Sequence, residues 1–174
     1  MTLGDALAAA TARLAEAGIE SARLEAELLL ARACDDCARA LLYAELHREL
    51  TPEQIAAFEA NVNRRVQREP LAYVLGEWGF RRLTLKTDRR ALIPRPETEI
   101  VVERALERIR DETDPDVLDV GTGTGAIALA IADEHAGARI TAIDASPEAL
   151  KLAEENRELT GVNGRVREIG RAHV

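Results

Sequence analysis

The chain has 174 residues, 47% of them hydrophobic and 31% charged, and a net charge of -8. Those values fit a soluble globular chain of one domain, or a small domain plus part of a second, and not a disordered one. The acidic balance counts against nonspecific nucleic-acid binding, which is driven by phosphate neutralisation, and no apolar run is long enough to span a bilayer.

Aromatic residues make up only 3%, so Leu, Ala, Ile and Val must build the core. The first eighteen residues lack a basic start and carry acids, unlike a secretory signal, and a cytoplasmic location is expected. Residues 1–75 read as helices only. Thr2 caps a first helix with Leu3, Leu7 and Leu14 on one side, and Gly18 ends it. Ser21 opens a second helix with Leu24, Leu28 and Ala31 at helical spacing. Cys34 and Cys37, in CDDC, lack two further ligands at zinc spacing. They read as unpaired thiols in a turn before a third short helix, and no metal site is expected. Thr51, Pro52 and Gln54 form a capping-box start for a helix running to about Glu69, before Pro70.

The texture changes at Gly76. Glu77–Phe80 and Leu83–Lys86 read as a β-hairpin turning at Arg81–Arg82 and linking two domains. An extended, proline-fixed segment then enters a helix near Pro96–Glu97. Strand Val117–Val120, a glycine loop, a helix over 126–135, strand Arg139–Ile143 and a helix from Pro147 follow, the last capped by Ser146. Such a βαβ unit needs a parallel sheet covered on both faces.

The stretch VLDVGTGTGAIALAIA, residues 117–132, carries the chemistry. Gly121, Gly123 and Gly125 permit backbone conformations and close ligand approaches that side chains forbid. The loop falls at the carboxyl edge of the sheet, where α/β folds bind ligands. Asp144 ends the next strand, where a carboxylate can accept both hydroxyls of an adenosine ribose. NAD and S-adenosylmethionine both present that ribose, and the glycine pattern alone does not separate them. Two features favour S-adenosylmethionine. Asp119 lies inside the strand, where a buried carboxylate suits a cationic ligand and repels a pyrophosphate. Thr122 and Thr124 add hydroxyls around an amino-acid tail.

LIPRPETE, residues 92–99, followed by a helix and this loop, resembles the release factor glutamine methyltransferase (HemK/PrmC) family. The resemblance covers residues 3–167, including GIESARLEAELLLARA and TPEQIAAFEANVNRRVQREPLAYVLGEWGF. It implies an all-α substrate-recognition domain over 1–75, a β-hairpin linker over 76–90 and, over 91–167, the N-terminal part of a Rossmann-like methyltransferase domain dependent on S-adenosylmethionine. It implies methyl transfer to the side-chain amide nitrogen (N5) of the glutamine in the Gly-Gly-Gln motif of peptide chain release factors. By position, Asp119, Gly121, Thr122, Gly123, Thr124, Gly125 and Asp144 would bind the cofactor. Pro94, Arg95, Pro96 and Thr98 would lie near the cofactor and the substrate entrance. Release factors are the expected partner of a monomer, with no nucleic acid or membrane partner.

The sequence departs from that family in one respect. The family's Asn-Pro-Pro-Tyr loop, which orients the poorly nucleophilic amide, does not occur here, and no Asn precedes Pro. No catalytic residue is therefore assigned. Only two strands are complete, with Arg165–Glu168 beginning a third, and so small a sheet cannot bury both faces. The tail EIGRAHV, residues 168–174, reads as a translated sequencing adapter, so the chain is expected to be an inactive C-terminally truncated fragment. His47 and His135 read as ordinary surface or helix-end residues. The alternative functions are a ribosomal-protein glutamine methyltransferase, an adenine-N6 nucleic-acid methyltransferase, an NAD-dependent oxidoreductase and a non-enzymatic helical module.

Overall fold

Thr51 shows how local chemistry starts an element in this protein. Its hydroxyl accepts from the Gln54 amide, and the Gln54 side chain accepts from the Thr51 amide. The pair satisfies two donors that a helix start leaves open. The computed structural model describes residues 1–34, 39–162 and 164–171. The chain falls into two compact units, Met1–Leu75 and Gly76–Val174.

The first unit is helical: α1 (Leu3–Glu16), α2 (Ala22–Ala33), α3 (Arg39–Ala44), α4 (Pro52–Val66) and α5 (Leu71–Leu75). Thr2 and Asp5 form the capping box of α1. Leu3, Leu7, Leu14, Leu29, Leu30, Phe58 and Val62 form the core, each fully buried. Leu24 does not join them. It is 43% exposed, and α2 instead buries Ala22, Ala26, Leu29, Leu30 and Ala33, together with Glu25 and Glu27. The Arg65 guanidinium neutralises Glu25, donating from Nε at 2.5 Å, and Arg23 pairs with Glu27 at 2.8 Å. With its carboxylates partnered, this face of α2 can turn inward. Helix α4 stops at Val66, short of Glu69, and the chain leaves it through Arg68 at φ 66°. Cys34 ends α2 as a buried free thiol; Cys37 lies outside the described residues.

The second unit opens with the hairpin β1 (Glu77–Phe80) and β2 (Leu83–Lys86), in the register Glu77↔Lys86 to Phe80↔Leu83. It is more than a connector. Phe80 and Leu85 enter the core of this unit, and β2 packs on a later helix, α8. Then come α6 (Pro96–Ile109), β3 (Asp116–Val120), α7 (Ala126–Glu134), β4 (Arg139–Asp144), α8 (Pro147–Thr160) and β5 (Val166–Arg171). The sheet is parallel, in the order β3-β4-β5, with a register shift between Thr141 and Ile143 in the β4–β5 ladder. Ile140 and Ala142 of β4 face inward and are fully buried with Leu129 and Ile131 of α7. On β3, Leu118 and Val120 are 60% and 70% exposed, so one sheet face stands bare, as expected for so few strands. Among the described residues, β3 is hydrogen-bonded to a neighbour on one edge only.

Candidate functional site

The glycine loop is built by the ends of β3 and β4. The amides of Gly121 and Thr122 donate to the Ile143 carbonyl at 2.8 and 3.0 Å, which ties the start of the loop to β4. The Gly125 amide closes a turn on the Thr122 carbonyl at 2.9 Å. Gly123 sits at φ 59°, a left-handed conformation that costs a side-chain-bearing residue energy. Its amide points at the carboxylate of Asp144, donating to Oδ2 at 2.9 Å. The other oxygen, Oδ1, accepts from the Ser146 amide at 2.9 Å. Asp144 thus spans from the loop to the start of α8, and each of its oxygens keeps a further lone pair.

An open cavity of about 140 Å³ lies against this loop. Gly121, Thr122, Gly123 and Thr124 form one wall. Leu92, Ile93, Pro94, Arg95 and Thr98 form the other. The proline segment and the glycine loop, separated in sequence by a helix and a strand, therefore face each other. The Ala91 methyl lies 3.8 Å from where a Cβ on Gly123 would stand. Pro96 is the first residue of α6 and is not part of the lining. Gly125, at φ 83°, starts α7 and faces the core, where a Cβ would meet Leu129 at 3.0 Å and Ala153 at 3.3 Å.

Asp119 lies beneath the loop, only 8% exposed. The Thr122 hydroxyl donates to its Oδ2 at 2.7 Å. Burial raises the Asp119 carboxyl above its ordinary value and the nearby Asp144 carboxylate adds to this, while Thr122 and the Ala128 amide act in the opposite direction. A folded pKa above the unfolded one means that the fold holds the proton more tightly. That stabilisation is complete below about 3.8 and is lost as pH rises through the folded value. At neutral pH the ionised carboxylate is therefore a cost to the fold. Asp119→Asn should raise the thermal midpoint at pH 7, with a gain that shrinks as pH falls toward 3.8. Thermal melts across that range check it, and a lower midpoint at pH 7 would refute it.

Comparison with known proteins adds relatives. The model of the PrmC N-terminal domain matches residues 5–76, and a methyltransferase domain model matches residues 111–173. A release factor glutamine methyltransferase of Moorella thermoacetica is 44% identical over 95% of this chain and 58% of its own length. One of Deinococcus radiodurans is 46% identical over 94% of this chain and 58% of its own. Over nearly its whole length the chain is similar to release factor glutamine methyltransferases. It spans a little over half the length of these relatives. Among solved structures, a SAM-dependent methyltransferase from Geobacter sulfurreducens in complex with S-adenosyl-L-homocysteine is 31% identical. That match covers 44% of this chain and 29% of that one, with a TM-score of 0.36.

A second, larger cleft of about 420 Å³ lies among Arg81, Glu103, Arg110, Glu134 and His135, near the end of α7. There Arg81 binds Glu134 through two hydrogen bonds, 2.5 and 2.8 Å long, while the Nδ1 of His135 is buried without a hydrogen-bond partner. At the glycine-loop cavity, Asp119 and Asp144 bond to the loop without being part of the lining, and the proline segment forms the facing wall. Sequence reasoning missed the residues that brace that wall. Arg90 donates to Asp88 and to Glu155, the closest contacts being 2.7 and 2.6 Å, and Lys86 pairs with Glu155 at 2.6 Å. The Glu155 carboxyl is held down to about 2, chiefly by hydrogen bonds from Arg90 and then Lys86. No local signal in the sequence ties Glu155 to this network, because it lies 65 residues from Arg90 and 69 from Lys86.

Proposed function

We propose that the cavity takes S-adenosylmethionine, and that the whole protein transfers its methyl group to the N5 amide nitrogen of a glutamine. The observation that carries this reading is the loop of Gly121, Thr122, Gly123 and Thr124, backed by two carboxylates, in a chain whose relatives are release factor glutamine methyltransferases. The residues fit the ligand. Spare lone pairs on Asp144 suit ribose hydroxyls, and the half-open backbone at Gly121–Gly125 admits the methionine portion. Asp119 and Thr122 set a negative, polar floor for its ammonium and sulfonium groups. Pro94, Arg95 and Thr98 flank the opening toward the methyl acceptor, and Pro96 fixes the backbone entering α6.

When bound, the cofactor supplies an electrophilic methyl group. The protein's part is to hold the donor and to line up the weakly nucleophilic amide, and positioning of this kind accounts for much of such a rate enhancement. The substrate we propose is the glutamine of the Gly-Gly-Gln motif in peptide chain release factors, gripped by the helical unit, with the enzyme acting as a cytoplasmic monomer. No described helix is long and apolar enough to cross a membrane.

Calorimetry tests the cofactor: S-adenosylhomocysteine should bind one to one and NAD should not, and tighter binding of NAD would overturn the reading. The substrate is tested by fusing residues 1–167 to the remaining segment of the Moorella relative and supplying labelled cofactor. Label should appear on the Gly-Gly-Gln glutamine of a release factor and vanish when that glutamine is replaced by alanine. Label on a ribosomal protein or on adenine instead would replace the proposed substrate.

A further inference from the structure

Helix α8 buries Ala149, Leu152, Ala153 and Asn156, at positions i, i+3, i+4 and i+7 of one stripe. Three of these pack as expected of an apolar face; the fourth is an amide with no exposed surface. Its hydrogen bonds use the whole group. Oδ1 accepts from the Lys86 amide at 2.7 Å. Nδ2 donates to the Lys86 carbonyl at 3.0 Å and to the Thr124 carbonyl at 2.9 Å. The side chain thus meets the Lys86 backbone as another peptide would, and its remaining hydrogen holds the glycine loop. Lys86 begins the segment that leads to the facing wall of the cavity, and Thr124 belongs to the loop wall itself. The hydrogen bonds of Asn156 reach both.

We propose that Asn156 is a positioning residue that sets the gap between the glycine loop and the proline segment, and so the fit of S-adenosylmethionine. The proposal rests on the cofactor reading above. Its geometry suits asparagine alone among the common side chains. Aspartate has no N–H to give two carbonyls and would bring a buried charge against them, leucine offers no hydrogen bond, and glutamine is one methylene too long for the space. Leaving buried backbone groups without partners favours a shifted loop or strap. The ion pairs of Glu155 with Lys86 and Arg90 fasten the same strap at the surface, one residue earlier on the helix.

The test uses the full chain and S-adenosylhomocysteine. Asn156→Asp and Asn156→Leu should weaken binding at least tenfold at temperatures well below their melting points. Val162→Ala, which thins the core of the same unit, should lower the melting point and leave affinity within twofold. Asn156 variants that melt early but bind like the unsubstituted chain would overturn the proposal and leave the cofactor reading standing. An unsubstituted chain that binds no S-adenosylhomocysteine would sink the cofactor reading, and the proposal with it. If neither Asn156 variant folds, hydrogen exchange on the unsubstituted chain decides. Ligand should slow exchange of the Lys86 amide, and an unchanged rate there overturns the proposal.

Discussion

Replacing Asp144 with alanine should weaken S-adenosylhomocysteine binding about a hundredfold. Two hydrogen bonds from ribose hydroxyls to a carboxylate, each contributing roughly 1.5 kcal/mol, combine to about that factor. The substitution also removes the acceptor for the Gly123 and Ser146 amides. The loop then loses the contact that aims its tightest turn, so the loss of affinity has a geometric part as well as a direct one. Asp144→Asn separates the two. It keeps one acceptor oxygen and sets an NH2 group against the other backbone amide, so it should fall between alanine and the parent. Titration calorimetry on the three proteins checks the order. Equal affinity in the alanine variant and the parent would remove Asp144 from the cofactor site.

Gly137→Ala should cost about 3 kcal/mol of stability, at the high end for overpacking. Gly137 lies in the connection from α7 to β4, and a Cβ there would stand 1.8 Å from the carbonyl oxygen of Thr113. The obstacle is backbone, not a side chain that could swing aside, so one of the two connections must move. Both lead directly into the sheet, since the Arg139 amide donates to the Pro115 carbonyl at 2.8 Å, just before the first β3–β4 pair, Asp116↔Arg139. Urea denaturation should show a lower midpoint with an unchanged slope. A change within 0.5 kcal/mol, the ordinary range for surface sites, would show that the connection yields freely. Because the glycine loop lies at the other end of these strands, affinity for S-adenosylhomocysteine should stay near that of the parent.

The two substitutions also mark how far the sequence could be read. The place of Asp144 was legible, as a carboxylate at the end of the strand after a glycine loop, and the structure sets it against the Gly123 amide. The caps at Thr2, Thr51 and Ser146 were legible for a similar reason, each being a contact within three residues. The hairpin fell where its turn residues placed it. The face of α2 was not legible. Leu28, Leu29 and Leu30 in a row support more than one phase, and the phase that forms needs Arg65, forty residues on, to neutralise Glu25. Gly137 was illegible because an ordinary loop glycine and one pressed against a distant carbonyl look alike in sequence. Asn156 left a faint signal, an amide on an otherwise apolar stripe, but not the identity of the backbone groups it serves. The proline segment was tied to the site only through resemblance, and the structure brings Pro94, Arg95 and Thr98 to the same cavity as the loop.

The bare side of the sheet has a practical consequence. Leu118 and Val120 project from a strand whose outer edge is unpaired among the described residues. An apolar strand with an open edge is a template for pairing between molecules. Crowding the chain at high concentration therefore invites copies to add strand to strand through β3, since Asp119 is buried and the Asp116–Arg139 ion pair lies at one end of the strand. A soluble preparation therefore calls for low concentration or a charged residue at position 118 or 120.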